Sequence, residues 1–326
     1  MPDFNRFILF YLGISILSVL MIAQANASQS DSSCTVASYI DDLCVEDGQF
    51  ELSVALGYGR KQNPYQYRDD IPLVVLADFN FYYGNWFIDN GTVGYSFRDT
   101  PHSSFNVIAN LADDSAYFHQ WHLSNVTTSQ SVSTPDETQS PDVGEPVEDD
   151  LSPPASGGGF TPPINKGDSI DQPTVTPLML DIERKIAINM GVEYNRFYEH
   201  GAYHIRLTHD VSGVHKGYGL AAEASYPWAF THLKLISKLG LHYKSDNWLD
   251  YYYGINDDET NDPRYVYQAA GGFSAFAEMT AIYPINSNWS LISNFKIERL
   301  SQDVVDSPLV NRKSLTKWFT GVSYHF

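Results

Sequence analysis

The most constraining feature of the sequence is the period-two pattern of its final segment, 314–326. Counting back from the last residue, one face of an extended strand carries Phe326, Tyr324, Val322, Thr320 and Trp318. The opposite face carries His325, Ser323, Gly321, Phe319 and Lys317. A strand with one apolar face and one mostly polar or small face belongs to a sheet whose two sides meet different environments.

The ending of this strand resembles the C-terminal signal of bacterial outer-membrane β-barrels, in which an alternating strand finishes on phenylalanine. The resemblance implies that barrel-assembly machinery recognises Trp318, Val322, Tyr324 and Phe326. It also implies that the lipid bilayer and lipopolysaccharide of the outer membrane surround the folded protein. The alternative is an ordinary edge strand of a soluble β-protein.

The N-terminus has the three parts of a secretory signal peptide. Arg6 precedes the apolar run 7–23, and Ala25-Asn26-Ala27 supplies small residues for cleavage, so residues 1–27 are predicted to be removed. A retained membrane anchor is the alternative. No later run approaches the roughly 20 apolar residues that a membrane helix needs.

Composition narrows the class of a secreted chain. The sequence has 22 Tyr, 18 Phe and 6 Trp with only 18% charged residues, which favours a barrel over a soluble domain. Its formal charge of −19 excludes nucleic acid as a partner, because binding phosphates requires a cationic face.

The two cysteines precede the first predicted strand. Cys34 and Cys44 would lie in an oxidising compartment, where a local disulfide is the simplest pairing. Residues 28–48 are therefore predicted to form a periplasmic segment with a Cys34–Cys44 disulfide.

Period-two segments recur and predict an all-β transmembrane antiparallel barrel of about twelve strands across residues 49–326. An even count places both termini on the periplasmic side, with short turns there and longer loops outside. The pair within 104–124 has the weakest alternation. The predicted strands are 50–58, 75–83, 86–97, 104–111, 116–124, 186–195, 203–208, 218–226, 233–242, 275–283, 289–298 and 314–326.

The stretch 125–177 interrupts this pattern with proline, glycine, serine and acidic residues, and Lys166 is its only base. Such a composition cannot bury a core, so the stretch is predicted to be a disordered extracellular loop. A linker between two domains is the alternative, but similar strands resume after it.

In a membrane barrel the apolar faces meet lipid and the charged faces line the lumen. Mixed signs at this density predict ion pairs that narrow the lumen, with a conducting filter as the alternative. The charges inferred to face the lumen are Glu193, Arg206, Glu223, Lys234, Lys238, Glu278, Lys296, Glu298 and Lys317.

Several spaced segments resemble the MipA/OmpV family of outer-membrane proteins. They are Phe87–Tyr95, Asp210–Gly217, Tyr252–Ile255, Asp306–Val310 and Gly321–Phe326. The resemblance covers about Phe50 to Phe326 and implies an outer-membrane barrel without catalytic residues. The family's name-giving member is a scaffold that interacts with a lytic murein transglycosylase and a peptidoglycan synthase. The acidic insert and the cysteine-bearing segment depart from the family pattern.

Three function hypotheses follow. The leading one is a non-catalytic scaffold for murein-synthesising and murein-hydrolysing enzymes, with no cofactor or metal, and the second is a small-solute channel. The third is a lipid hydrolase, because His122-Leu123-Ser124-Asn125 resembles the His-x-Ser-Asn motif of outer-membrane lipid A deacylases. His122 and Ser124 would then share one face of an extended strand as base and nucleophile.

Overall fold

A computed structural model describes residues 48, 50–100, 102–127, 182–198 and 201–326. The predicted signal peptide 1–27 and both cysteines lie outside the described residues. So does the acidic insert from residue 128 onward.

The described chain forms a closed antiparallel barrel in which each strand pairs with its neighbour in sequence and β1 pairs with β12. The predicted architecture of about twelve strands is therefore confirmed. Register is continuous across the closing pair, from Ser53 opposite His325 to Lys61 opposite Lys317. The strands are β1 (Phe50–Lys61), β2 (Ile71–Tyr83), β3 (Trp86–Asp89), β4 (Thr92–Thr100), β5 (Ser103–Leu111), β6 (Ile188–Tyr198), β7 (Gly201–Asp210), β8 (Tyr218–Ala229), β9 (Lys234–Lys244), β10 (Gly272–Pro284), β11 (Trp289–Arg299) and β12 (Ser314–His325).

Two strand assignments from the sequence are wrong, and the errors offset each other in the count. The predicted strand 86–97 is two strands, because Asn90 and Gly91 both adopt positive φ (47° and 93°) and turn the chain as a tight hairpin. The predicted strand 116–124 does not form. Its place is taken by a 3-10 helix, Asp113–Tyr117, and a short helix α1, Leu123–Val126.

The connections at the two ends of the barrel differ in length. At the end that holds Phe50 and His325, the strands are joined by short turns such as 84–85 and 230–233. At the other end lie the longer loops 62–70, 245–271 and 300–313, with helices α2 (Asp246–Tyr253) and α3 (Gln302–Val305) and a 3-10 turn, Pro263–Tyr265. Outer-membrane barrels have this asymmetry, with the long loops extracellular. Among the described helices, none combines the length and hydropathy needed to span a bilayer.

The wall has an apolar outer face and a mostly polar inner face. On β11, Leu291, Phe295 and Ile297 point outward with 45%, 50% and 43% of their surface exposed. The alternate positions Ser290, Asn294, Lys296 and Glu298 face inward. Aromatic pairs such as Trp289–Tyr324, with ring centroids 4.8 Å apart, lie near the strand ends on the outside.

Inward-facing aromatic rings pack over glycines of neighbouring strands. The Phe319 side chain is fully buried and covers Gly57 and Gly59, where a Cβ atom would lie 2.8 and 3.0 Å from its side-chain atoms. Glycine leaves the space that the ring fills, so this part of the wall is closed by side-chain packing. Ala55, Ile71, Leu73, Leu76, Ile282 and Ile292 complete this apolar cluster inside the barrel.

Candidate functional site: a capped lumen

One part of the lumen is organised around Glu193 of β6. Its carboxylate accepts from both Nε and Nη2 of Arg206 on β7, at 2.9 and 2.7 Å. Asn195 and Asn106 donate to the other oxygen at 2.9 and 3.4 Å. Because Glu193 is only 8% exposed, these donors replace the water it would otherwise bind.

A second ionic group joins β8 and β9. Glu223 lies 3.9 Å from Lys238 Nζ, and its other carboxylate oxygen lies 3.2 Å from His242 Nε2. All three side chains are largely enclosed, with side-chain exposures of 18%, 13% and 21%. This pairing links neighbouring strands inside the wall.

The remaining charges inferred from the sequence lie on β9 to β12. Lys296 and Glu298 form an ion pair at 3.5 Å along β11. Glu278 accepts from Asn294 at 2.7 Å and is 5% exposed. Lys234 and Lys317 also occupy inward positions of their strands. The structure thus brings the predicted lumen charges to one interior, most of them in pairs of opposite sign.

A hydrophobic cluster that we call the cap lies at the extracellular mouth. It is built by the loops that follow β1, β5, β9 and β11 and by the residues before β6. Its buried members are Tyr65, Ala112, Ile182, Ala187, Trp248, Leu249, Tyr252, Tyr253, Ile255, Ala269, Leu300, Val304, Leu309, Val310 and Leu315. Apolar burial of this kind stabilises packed cores, so the loops form one layer over the barrel.

The segment that follows β5, residues 112–127, crosses this mouth, and we call it the strap. Its central residue is Asp114, which is 3% exposed. The Asp114 carboxylate accepts from Lys244 Nζ at 2.5 Å, Trp248 Nε1 at 2.7 Å and Tyr253 Oη at 2.7 Å. Burial alone would raise the pKa of Asp114, but the lysine and the three hydrogen bonds outweigh it and hold the pKa below its ordinary value.

The strap also contacts the opposite part of the wall. Asn125 accepts from Lys61 Nζ of β1 at 2.9 Å, and the Tyr117 ring lies 4.8 Å from the same ammonium. Thr127 forms a parallel bridge with Ala77 of β2, at an edge that the short β3 leaves without a strand. The strap is therefore fixed to β1, β2 and β9 and spans the mouth.

Two further groups of contacts tie the remaining loops to the cap. Arg184, just before β6, forms an ion pair with Glu259 and donates to the Gly254 carbonyl at 3.1 Å. His215, in the loop between β7 and β8, packs its ring 4.3 Å from that of Trp248. Burial lowers the pKa of His215, so the neutral form fits this site.

The His122 and Ser124 pair does not have the predicted geometry. The two residues lie at the start of α1 instead of on a strand, and His122 is 3% exposed. Its Nδ1 faces Ser124 Oγ at 3.1 Å and also accepts the Ser124 backbone N–H at 3.2 Å, which is a helix-capping contact. No residue of the described chain is hydrogen-bonded to His122 Nε2, where an orienting group would act. The arrangement gives no support to a hydrolase.

The residues of the C-terminal signal share the lipid-facing side of β12. The Tyr324 ring contacts those of Trp289 and Phe326, each at 4.8 Å between centroids. The Phe326 backbone N–H donates to the Leu52 carbonyl at 3.0 Å, and Phe326 is 53% exposed on this face. Trp318 and Val322 point the same way along the strand.

The sequence reasoning missed the strap and the cap. The predicted strand 116–124 leaves Asp114 in the turn before it, whereas Asp114 lies in the strap at the extracellular end. A signal was present in the loop 245–271: Trp248, Leu249, Tyr252 and Tyr253 repeat with the spacing of one helix face. The Asn90-Gly91 pair was likewise a hairpin signal inside an assumed strand.

Comparison with known proteins identifies the family of this chain. A family model described as MltA-interacting protein MipA matches residues 54–326. Outer membrane protein Omp26La of Vibrio anguillarum is 29% identical over 162 residues, or 49% of this chain and 62% of that protein. OmpV of Vibrio cholerae is 28% identical over 162 residues, which are again 49% of this chain and 62% of that protein. The MltA-interacting protein of Escherichia coli K12 is 26% identical over 147 residues, 44% of this chain and 58% of that protein.

These alignments span 62%, 62% and 58% of the lengths of the three relatives. Among solved structures, the outer membrane channel DcaP of Acinetobacter baumannii aligns with 85% of this chain and 95% of its own, with a TM-score of 0.34 and 10% identity. A likeness at that level has no bearing on function. The family match covers most of the barrel, and the chain therefore belongs to the MipA/OmpV family of outer-membrane β-barrel proteins.

Proposed function

We propose that this protein is a non-catalytic outer-membrane scaffold that holds murein-synthesising and murein-hydrolysing enzymes at the periplasmic face of the membrane. The observation that carries the proposal is the cap, which closes the extracellular mouth with packed aromatic and aliphatic side chains. A barrel closed in this way acts through the surfaces that it presents.

The partner class is supported by the relatives. The family description and the name of the Escherichia coli relative both record interaction with MltA. A lytic transglycosylase is therefore the first partner to test, and a peptidoglycan synthase is the second. Both work on the murein layer, so we place the docking surface on the periplasmic turns.

Site-specific photo-crosslinking tests this placement. A photoreactive residue at His232 or Ser287 would lie on exposed periplasmic turns, and the matched control at Asp257 lies on the exposed outer side of the cap. We expect both turn positions, but not Asp257, to give adducts with a lytic transglycosylase or a peptidoglycan synthase in intact envelopes. Envelopes in which neither turn position captures a murein enzyme would argue against the scaffold.

The small-solute channel is the alternative and requires the cap to open. Conductance in planar bilayers separates the two, because a capped barrel gives no stable openings of uniform size.

The protein reaches the outer membrane only if its barrel is assembled there. We propose that the barrel-assembly machinery recognises the C-terminal strand in this step. Its lipid-facing side carries Trp318, Val322, Tyr324 and Phe326 in one row. Deleting Phe326 should lower the heat-modifiable, folded fraction in the outer membrane, whereas deletion of an exposed loop residue such as Asp258 should not. An unchanged folded fraction would remove Phe326 from this role.

A further inference from the structure

Three lysines stand side by side on neighbouring strands of the lumen wall. Lys317 of β12 is in register with Lys61 of β1 on one side and with Lys296 of β11 on the other. All three occupy inward positions of their strands. Neighbouring strands lie about 4.8 Å apart, so the three side chains leave the wall close together. We call this group the lysine row.

The two outer lysines have partners. Lys61 Nζ donates to Asn125 and lies over the Tyr117 ring. Lys296 Nζ is 3.5 Å from Glu298 and 4.2 Å from the centre of the Phe276 ring. Lys317 between them has no hydrogen bond or ion pair with any residue in the described part of the chain. Lys317 is therefore the lysine of the row without a direct partner, while Glu278, in register with Lys296, faces the row from β10.

This arrangement departs from the rest of the lumen. Like charges placed directly opposite each other on adjacent strands destabilise a sheet, and enclosed lysines are normally paired. Elsewhere in the lumen, charges such as Glu193 and Glu223 face partners of opposite sign on the next strand. A small anion bound at Lys317 would supply the direct partner that this lysine lacks.

The surroundings of the row would limit the size of such an anion. Above it, the strap contacts Lys61 through Asn125 and Tyr117. Below it lie the fully buried Phe319 ring and Asn294, the next inward residue of β11. The Asn294 amide nitrogen donates to Glu278 and Thr280, but its buried Oδ1 accepts from no donor in the described chain. That oxygen would accept a hydroxyl of a partly protonated oxyanion.

We propose that the lysine row is a binding site for a small solute carrying a phosphate or carboxylate group, with Lys317 as its central contact. This site is separate from the proposed docking surface on the turns.

Titration calorimetry on the folded full chain in detergent tests the site, with inorganic phosphate and succinate as the two probes. We expect saturable binding of at least one probe, and Lys317→Gln should weaken it at least tenfold. Lys238→Gln is the matched control: it removes the same charge from the same lumen, at a side chain already paired with Glu223. Its affinity should stay within twofold of the parent.

Lys317→Arg is a second variant that controls for a folding defect. It keeps the charge at this position and should therefore retain binding of the probe. Competition between the probes identifies which oxyanion the site prefers. Absence of saturable binding of both probes to the folded parent protein would overturn the proposal. Equal weakening by Lys317→Gln and Lys238→Gln would also overturn it, because that result would show a general effect of lumen charge.

Discussion

The cap and the lumen of this barrel are stabilised by different interactions. The cap buries aromatic and aliphatic side chains around the carboxylate of Asp114, much as a soluble domain does. The lumen keeps most of its charged groups in pairs along its wall, with an apolar cluster around Phe319 on one side. The difference teaches that the extracellular end is held together by apolar packing, whereas the interior is held together mainly by polar pairs between neighbouring strands.

Substitution of Asp114 should have the largest effect on stability, and the effect should be on the cap. Replacing it by Ala leaves the Lys244 ammonium, the Trp248 indole and the Tyr253 hydroxyl buried without an acceptor. Breaking a buried pair from one side costs about 3–5 kcal/mol, so the cap should open locally. Hydrogen exchange should rise in α2, while the strands stay protected.

Asp113→Ala is the control, because this neighbour on the strap is exposed. Unchanged exchange in α2 of Asp114→Ala would show that apolar packing alone holds the cap closed.

Substitution of Phe319 should lower stability by a smaller amount, and only in the barrel. Phe319→Leu removes part of the ring that fills the space over Gly57 and Gly59, which should cost about 1–2 kcal/mol. The midpoint of heat modification should fall, while hydrogen exchange in α2 stays as in the parent. Loss of cap protection in this variant would mean that the two regions are not independent.

Acidification should loosen the cap by less than the Asp114 substitution does. Burial lowers the pKa of both His122 and His215 from the ordinary value of 6.5. The unfolded or open state therefore binds more protons, so stability is full above about pH 6.5 and is lost as pH falls through the lowered pKa values. Protection factors in α2, which correct for the slower intrinsic exchange at low pH, should fall between pH 7 and pH 5.

His215→Gln should flatten this dependence, and His232→Gln on the exposed periplasmic turn should leave it intact. A profile with the same slope in His215→Gln and the parent would exclude His215 as a contributor.

The smallest effect is expected in the lumen at the Lys238–Glu223 pair. The ion pair spans 3.9 Å, and Glu223 keeps His242 as a second partner. Lys238→Gln should therefore lower stability by less than Asp114→Ala does, and the loss should change little with salt because both side chains are largely enclosed. A loss as large as that of Asp114→Ala would show that the lumen depends on its charges as strongly as the cap depends on its acid.

The barrel was predictable because a period of two separates lipid-facing from lumen-facing residues along each strand. That pattern alone indicates Leu291, Phe295 and Ile297 as outward and Lys296 and Glu298 as inward. The strap and cap were not predictable in this way. Asp114 meets Lys244, Trp248 and Tyr253 only after distant loops come together, and no local period encodes such contacts.

Single-channel recording of the full chain in planar bilayers tests the central claim most directly. A barrel whose mouth is closed by the cap should show no stable openings of uniform conductance at neutral pH, and Asp114→Ala should produce openings that the parent lacks. Stable, uniform openings of the unmodified protein would contradict the account, because they would show that the cap does not close the lumen.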